Sequence, residues 1–188
     1  MFDVATSFSH VPSSVMATHF FTPLGIKIHS AAAGVALLVG SFQFLRSLRL
    51  RSRRLHRWLG RIYVLACVLG GVAGGAIALF SSSGPVAGWG FFTLAVLWVP
   101  FTLMAWLSAM NRDFLAHQSW MIRSFALTFG AVTLRLYLPI GIMTAGFEPS
   151  YPVIAWLAWV PNLLLAEFWL RMRPIKNPVM KSAVQGPS

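Results

Sequence analysis

Two histidines stand at the beginning of two long apolar segments and could bind one cofactor between them. His56 precedes an apolar segment that begins near Trp58, and His117 opens the apolar segment 117–139. If both segments are helices that start on the same side of a membrane, the two imidazoles lie at similar depth on different helices. Helix bundles hold cofactors in their core in this way, with ligands from facing helices. Histidine is a common axial ligand of haem iron. The spacing therefore makes His56 and His117 candidate metal ligands for a b-type haem.

Each of these histidines also fits a simpler structural role. A histidine at the end of a membrane span, next to Arg57 or Gln118, is often an interfacial anchor or a helix cap. His29 lies deeper in an apolar segment, on a helical face that small residues share with Gln43. It is a candidate cofactor ligand or a histidine bonded to a backbone carbonyl. A zinc site is less favoured because cysteine is absent from these positions and carboxylates are scarce.

Two arginines, Arg123 and Arg135, lie inside the segment 117–139. An ionisable group within a membrane span is costly and is a functional-site hypothesis by default. At about 100° per residue, His117 and Arg135 are about five helical turns apart and share one face. Ser124 and Thr128 lie near the same line, whereas Arg123 points elsewhere.

The chain has few acidic side chains that could neutralise these arginines. They are Asp3, Asp113, Glu148 and Glu167. Glu167 is a candidate partner for Arg123 or Arg61. Arg135 must be satisfied by backbone carbonyls near Pro139, by water or by an anionic or carbonyl-bearing ligand. A haem propionate, a lipid headgroup and a quinone carbonyl are the candidates.

The sequence lacks the motifs of several enzyme classes. It contains no H-E-x-x-H, no glycine-rich phosphate loop, no nucleophile–base arrangement and no carboxylate pair. Hydrolytic and phosphoryl-transfer chemistry therefore have no visible machinery. Redox chemistry on a bound cofactor is the enzymatic class that remains.

The composition is that of an integral membrane protein. Of 188 residues, 57% are hydrophobic and only 10% are charged, whereas a soluble domain carries about 25% charged residues. The formal charge of +11 comes largely from arginines crowded between residues 46 and 61. Such a cluster marks a cytoplasmic loop by the positive-inside rule, and nucleic-acid binding is not expected because the cluster flanks two spans.

The apolar segments predict an all-α bundle of five transmembrane helices, with the amino terminus outside and the carboxyl terminus in the cytoplasm. Residues 1–21 are expected to be an extracytoplasmic tail, 22–171 the membrane domain and 172–188 a cytoplasmic tail. The five expected spans are Pro23–Leu45, Trp58–Phe80, Trp89–Met110, His117–Ala145 and Pro152–Leu170.

Four segments resemble a known family of bacterial inner-membrane proteins, the domain of unknown function 2306. They are residues 40–66, 89–106, 117–139 and 158–167, and the resemblance extends over about residues 24–170. It implies a small multi-pass protein of the bacterial inner membrane and supplies no activity. The matching positions are His29, Gln43, His56, Gly60, Arg61, Tyr63, His117, Trp120, Met121, Arg123, Arg135, Asn162 and Glu167.

Three functions fit these observations. The first is a redox or quinone-linked protein in which His56 and His117 bind haem b and Arg123 or Arg135 faces its acidic groups. The second is a non-catalytic accessory or assembly subunit of a membrane complex. The third is a small-solute or proton pathway. In each case a polar interior is expected from Gln43, Tyr63, Asn162 and Glu167, and in the pathway His29, Arg135 and Glu167 would act together.

Overall fold

The structure is a computed structural model that describes residues 13–81 and 83–173. Within these ranges the helices are all α-helices and no strand is present, which confirms the all-α prediction. The helices are α1 (Ser13–Gln43), α2 (Arg46–Arg51), α3 (Arg53–Ala78), α4 (Gly84–Met110), α5 (Phe114–Ala145), α6 (Phe147–Leu157) and α7 (Val160–Met172).

Five helical segments are long and apolar enough to cross a membrane, as expected. Four are α3, α4, α5 and the part of α1 from Pro23 to Gln43, and the fifth combines α6 and α7 over Phe147–Met172. Helix α1 begins at Ser13, inside the segment 1–21 that was expected to be a tail. Residues 1–12 and 174–188, which include most of both expected tails, lie outside the described residues. The sidedness of the bundle stays a prediction.

The arginine cluster defines one end of the bundle. There α1 ends, α2 follows, and α3 and α5 both begin. We call this the arginine-rich end, and the other the opposite end. Helices α3 and α5 start at the same end, and His56 and His117 each lie three residues after the first residue of their helix. The two histidines therefore have similar depth, as the sequence predicts.

Small residues let the helices approach each other closely. A Cβ on Gly70 in α3 would lie 3.4 Å from the Cβ of Ala32 in α1, and one on Gly75 would lie 3.2 Å from the Cβ of Ala95 in α4. Lipid tails are as apolar as leucine, so association of membrane helices depends on such close packing. The glycines of α3 thus hold it between α1 and α4.

The fifth span is broken in its middle, at Ala158 and Trp159. Pro161 lies in the first turn of α7 and has no N–H to continue the helical hydrogen bonds. The carbonyl of Ala158 instead accepts from Thr133 Oγ1 at 2.5 Å and from Asn162 Nδ2 at 3.0 Å. The side chain of Asn162 thus satisfies a backbone group that the break releases.

A hydrogen-bonded cluster of side chains joins α3, α4 and α5 at the centre of the bundle. Tyr63 Oη lies 2.8 Å from Ser124 Oγ and 3.0 Å from Thr128 Oγ1. Trp98 Nε1 donates to Thr128 Oγ1 at 2.9 Å, and Thr102 Oγ1 lies 2.6 Å from Ser124 Oγ. All five side chains are buried. The cluster satisfies polar groups that would be costly if left unpaired in an apolar interior.

The Tyr63→Phe variant is expected to lower the free energy of unfolding by about 1 kcal/mol, since it removes two hydrogen bonds whose partners keep other bonds. Reversible unfolding in detergent measures this quantity. The matched control is Tyr137→Phe, at an exposed tyrosine, which should leave the stability unchanged. Equal stability of the Tyr63→Phe variant and the wild type would show that the Tyr63 hydroxyl contributes nothing to stability.

Candidate cofactor-binding site

A cavity of about 850 Å³ lies at the arginine-rich end, and both candidate ligands line it. His56 reaches it from α3 and His117 from α5, and Gln43, Gly60 and Met121 lie on its wall. We call it the His56–His117 cavity. The structure therefore brings together the two histidines that the sequence analysis paired.

The His117 imidazole is oriented by a neighbouring helix. Asp113 caps the start of α5, where its carboxylate accepts from the Ala116 N–H at 3.0 Å. His117 Nδ1 lies 2.7 Å from the carbonyl oxygen of Ala105, a buried residue of α4. A carbonyl oxygen only accepts, so Nδ1 carries the proton and Nε2 carries the free lone pair. A backbone bond of this kind fixes the tautomer of metal-binding histidines.

Two polar atoms at this cavity lack protein partners. They are Nδ1 of His56 and Nε2 of Gln43, which are buried and form no hydrogen bond within the described part of the chain. A buried polar group left unpaired costs about 1–3 kcal/mol. Since both side chains line the cavity, a bound group or water there would supply the missing partners.

The charged side chains that line the cavity are all arginines. No carboxylate is among its lining residues, so the cavity favours an anionic group. This differs from the expectation that Arg123 or Arg135 would face the acidic groups of a cofactor. The arginines are Arg49, Arg57, Arg61 and Arg173.

Arg123 is instead paired with Glu167, as the sequence analysis anticipated. Arg123 Nε donates to Glu167 Oε1 at 2.5 Å, and Nη2 donates to Oε2 at 3.0 Å. The guanidinium also lies 4.8 Å from the centre of the Trp120 ring. This bidentate pair joins α5 to α7, and neither partner lines the His56–His117 cavity. Arg123 therefore already has a charged partner within the chain.

A second cavity, of about 440 Å³, lies toward the opposite end and contains the other two candidates. His29 lines it from α1 and Arg135 from α5, and we call it the His29–Arg135 cavity. His29 Nδ1 lies 2.8 Å from the carbonyl oxygen of Gly70, and Arg135 Nη1 donates to the Ala131 carbonyl at 2.7 Å. His29 thus has a backbone partner of the kind considered for it, whereas the carbonyl that Arg135 bonds lies one turn before it and not near Pro139.

The donor set at the His56–His117 cavity suits a metal that brings most of its own ligands. In residues 13–81 and 83–173, no group of three or more His, Cys, Asp or Glu side chains could hold a bare metal ion. Two histidines with free ring nitrogens suffice for haem, because the macrocycle supplies four nitrogen ligands and leaves two axial positions. The residues present therefore fit haem better than a structural zinc ion.

Three features of the two cavities and of the hydrogen-bonded cluster between them could not be predicted from the sequence. The sequence does not distinguish Arg49, Arg57 and Arg61 from the rest of the arginine cluster, and Arg173 lies far from that cluster along the chain. Trp98 and Thr102 give no signal because they stand among apolar residues of α4. In the sequence Gly74 is one of several glycines that predict close helix packing. In the structure, a Cβ at Gly74 would lie 2.6 Å from Nδ1 of His29.

Comparison with known proteins identifies the family of this chain and no activity. No curated protein and no solved structure matches it. A family model described as "Predicted membrane protein", domain of unknown function 2306, matches residues 26–170. The match spans all five candidate membrane segments nearly end to end. The chain therefore belongs to this family of predicted membrane proteins, as its four resembling segments indicated.

Proposed function

We propose that this chain is a b-type haem protein of the membrane, in which His56 and His117 are the axial ligands of one haem. The observation that carries the proposal is that histidines from two facing helices, at equal depth, line one cavity. Helix bundles bind cofactors between facing helices in this way.

The cavity supports this proposal by its size and by the orientation of its ligands. Its volume of about 850 Å³ lies within the roughly 300–1,000 Å³ of cofactor sites. The Ala105 carbonyl holds the His117 ring with Nε2 free for iron. Gly60, one helical turn after His56, lines the same wall and leaves space beside the second ligand.

The polar groups at the rim complement a haem in charge. The two propionates of a haem are carboxylates, and arginine binds carboxylates with charge-assisted hydrogen bonds. Four arginines line the cavity without a competing carboxylate. The unpaired Nε2 of Gln43 is a further donor for an oxygen of the cofactor.

The bound haem would supply one-electron transfer. If His56 and His117 held both axial positions, no position on the iron would be open to a substrate. His117 is kept in one tautomer by Ala105. Such an arrangement favours passing electrons to a partner over activating a bound molecule.

The contacts favour this proposal over a pathway through His29, Arg135 and Glu167. His29 and Arg135 share one cavity, but Glu167 lines neither cavity and is bound to Arg123. The accessory-subunit alternative predicts instead that the protein is colourless and co-purifies with other subunits of a membrane complex.

A reduced-minus-oxidised visible spectrum of the detergent-purified protein, produced with ample haem, tests the proposal. We expect sharp α and Soret bands and about one haem per chain by haem extraction, because one histidine pair provides one pair of axial positions. A flat spectrum from folded protein would overturn the haem proposal, and co-purification would then test the accessory role.

A further inference from the structure

The His29–Arg135 cavity lies where α1 and α5 form two walls of one space. Nearer the arginine-rich end these helices touch, since a Cβ on Gly40 in α1 would lie 2.8 Å from a ring carbon of Phe125 in α5. Toward the opposite end, His29 and Arg135 line one cavity from the two helices. Ile26 and Arg135 are both exposed, so the cavity communicates with the lipid-facing surface of the bundle.

His29 presents a hydrogen-bond acceptor to this cavity. Its Nδ1 lies 2.8 Å from the Gly70 carbonyl, which accepts and cannot donate, so Nδ1 carries the proton and Nε2 is an acceptor. Within the described residues Nε2 has no hydrogen-bond partner. The ring lies against Gly74, where a Cβ would come within 2.6 Å of Nδ1. Because Gly74 has no side chain, there is room for the imidazole of His29 at this position.

Arg135 presents hydrogen-bond donors from the other wall. A guanidinium has five N–H donors, and the hydrogen bond found for Arg135 goes to Ala131 on its own helix. Across residues 13–81 and 83–173, no carboxylate lies within ion-pair distance of it. A cation in a membrane span favours a ligand that its N–H groups can reach.

A ligand that bonds both side chains donates a hydrogen bond to His29 and accepts one from Arg135. A phosphodiester group offers acceptors only, so on its own it would leave Nε2 of His29 unpaired. A quinone also offers only acceptors. A quinol has two hydroxyls on opposite sides of a flat ring, and each hydroxyl both donates and accepts. A quinol can therefore donate to Nε2 of His29 and accept from the Arg135 guanidinium.

The remaining lining suits a flat ring with an apolar tail. Phe91 and Tyr151 line the cavity with aromatic faces whose ring centres are 5.7 Å apart, whereas Gly70, Gly71 and Gly74 are covered by neighbouring side chains. Aromatic side chains pack well against a planar ring. The tail would extend into lipid through the open side of the cavity.

We propose that this cavity binds the head group of an isoprenoid quinol, with Nε2 of His29 accepting from one hydroxyl and Arg135 donating to the other. The proposal concerns binding and stands on contacts at the opposite end from the His56–His117 cavity. It therefore does not depend on whether haem binds there.

Anaerobic equilibrium binding of decylubiquinol and decylubiquinone to the protein in phosphatidylcholine nanodiscs tests this proposal. The wild type should bind the quinol about tenfold more tightly than the quinone, as expected for one additional hydrogen bond. His29→Ala should remove this preference. Gly74→Ala should do the same, because its Cβ would displace the imidazole. Arg135→Gln should weaken the binding of both forms.

The control variant is Lys27→Gln, which removes an exposed cation two residues from His29 that does not line the cavity. It should bind like the wild type. Equal binding of quinol and quinone by the wild type would overturn the proposal, as would an unchanged quinol preference in the His29→Ala variant. If phosphatidylglycerol displaces decylubiquinol and only Arg135→Gln prevents this, the cavity holds a phosphate group and the quinol assignment is wrong.

The size-exclusion elution profile and the thermal unfolding of each variant show whether it is folded. Should Arg135→Gln fail to fold, Arg135→Lys keeps the cation but has fewer donors. It should bind both forms more weakly than the wild type while retaining the quinol preference. Wild-type affinity in that variant would contradict the assigned role of the guanidinium.

Discussion

Replacing His117 with alanine is expected to abolish the low-spin haem spectrum, and replacing His56 should do the same. Each imidazole would fill one axial position in the His56–His117 cavity. Loss of a residue that only hydrogen-bonds a metal ligand lowers metal affinity about 10–100-fold. Loss of an axial ligand should therefore lower the haem content at least about tenfold. The measurement is the visible spectrum and the haem-to-protein ratio of each purified variant.

Chemical rescue separates ligation from a structural role. Added imidazole should restore the low-spin spectrum of the His117→Ala variant, because it can occupy the axial position left open. A histidine that only bonds Ala105 to join two helices would not be rescued in this way. The control is Asn111→Ala, at an exposed position between α4 and α5, which should keep the wild-type spectrum. Alanine variants of both histidines with unchanged spectra would contradict the ligand assignment.

The sequence predicts the framework of the bundle well, because its main signal is the length of each apolar segment. A bilayer core needs about 20 apolar residues per helix, and five such segments are present. Short connections then make successive helices antiparallel, so α3 and α5 start at one end. The equal depth of His56 and His117 follows from that topology and not from any motif.

The division into two cavities is harder to foresee. His117 and Arg135 share a helical face by arithmetic, which favours one site for both. At about 1.5 Å per residue they are also about 27 Å apart along α5. They consequently line different cavities, and Ser124 and Thr128 bond Tyr63 in between. Helical spacing shows which residues share a face, but not which parts of that face meet other helices.

The break in the fifth span also escapes the sequence analysis. A proline in a membrane helix can be tolerated by a kink, so Pro161 alone does not predict two helices. The break is stabilised by Thr133, which lies on α5 and donates to the Ala158 carbonyl. That contact joins residues 25 positions apart, so no local sequence pattern predicts it.

Replacing Glu167 with leucine is expected to lower the free energy of unfolding by about 2 kcal/mol. The substitution removes both hydrogen bonds of the Arg123 guanidinium to its partner in α7 and leaves the cation within the span. Removal of one partner from a fully buried pair costs about 3–5 kcal/mol. Here the two side chains are 22% and 31% exposed, so the cost should be smaller. Reversible unfolding in detergent measures it, and Glu148→Leu, at an exposed carboxylate, is the matched control.

The two partners of this pair should not be equivalent. A carboxyl group can be neutralised by binding a proton, whereas a guanidinium cannot be deprotonated in a protein. Arg123→Leu should therefore destabilise less than Glu167→Leu, and the double variant should be more stable than the sum of the two single effects predicts, since no uncompensated charge remains. If the effects simply add, then Arg123 and Glu167 are not coupled, and α5 and α7 are held together by packing and by the hydrogen bond from Asn162 to Thr133.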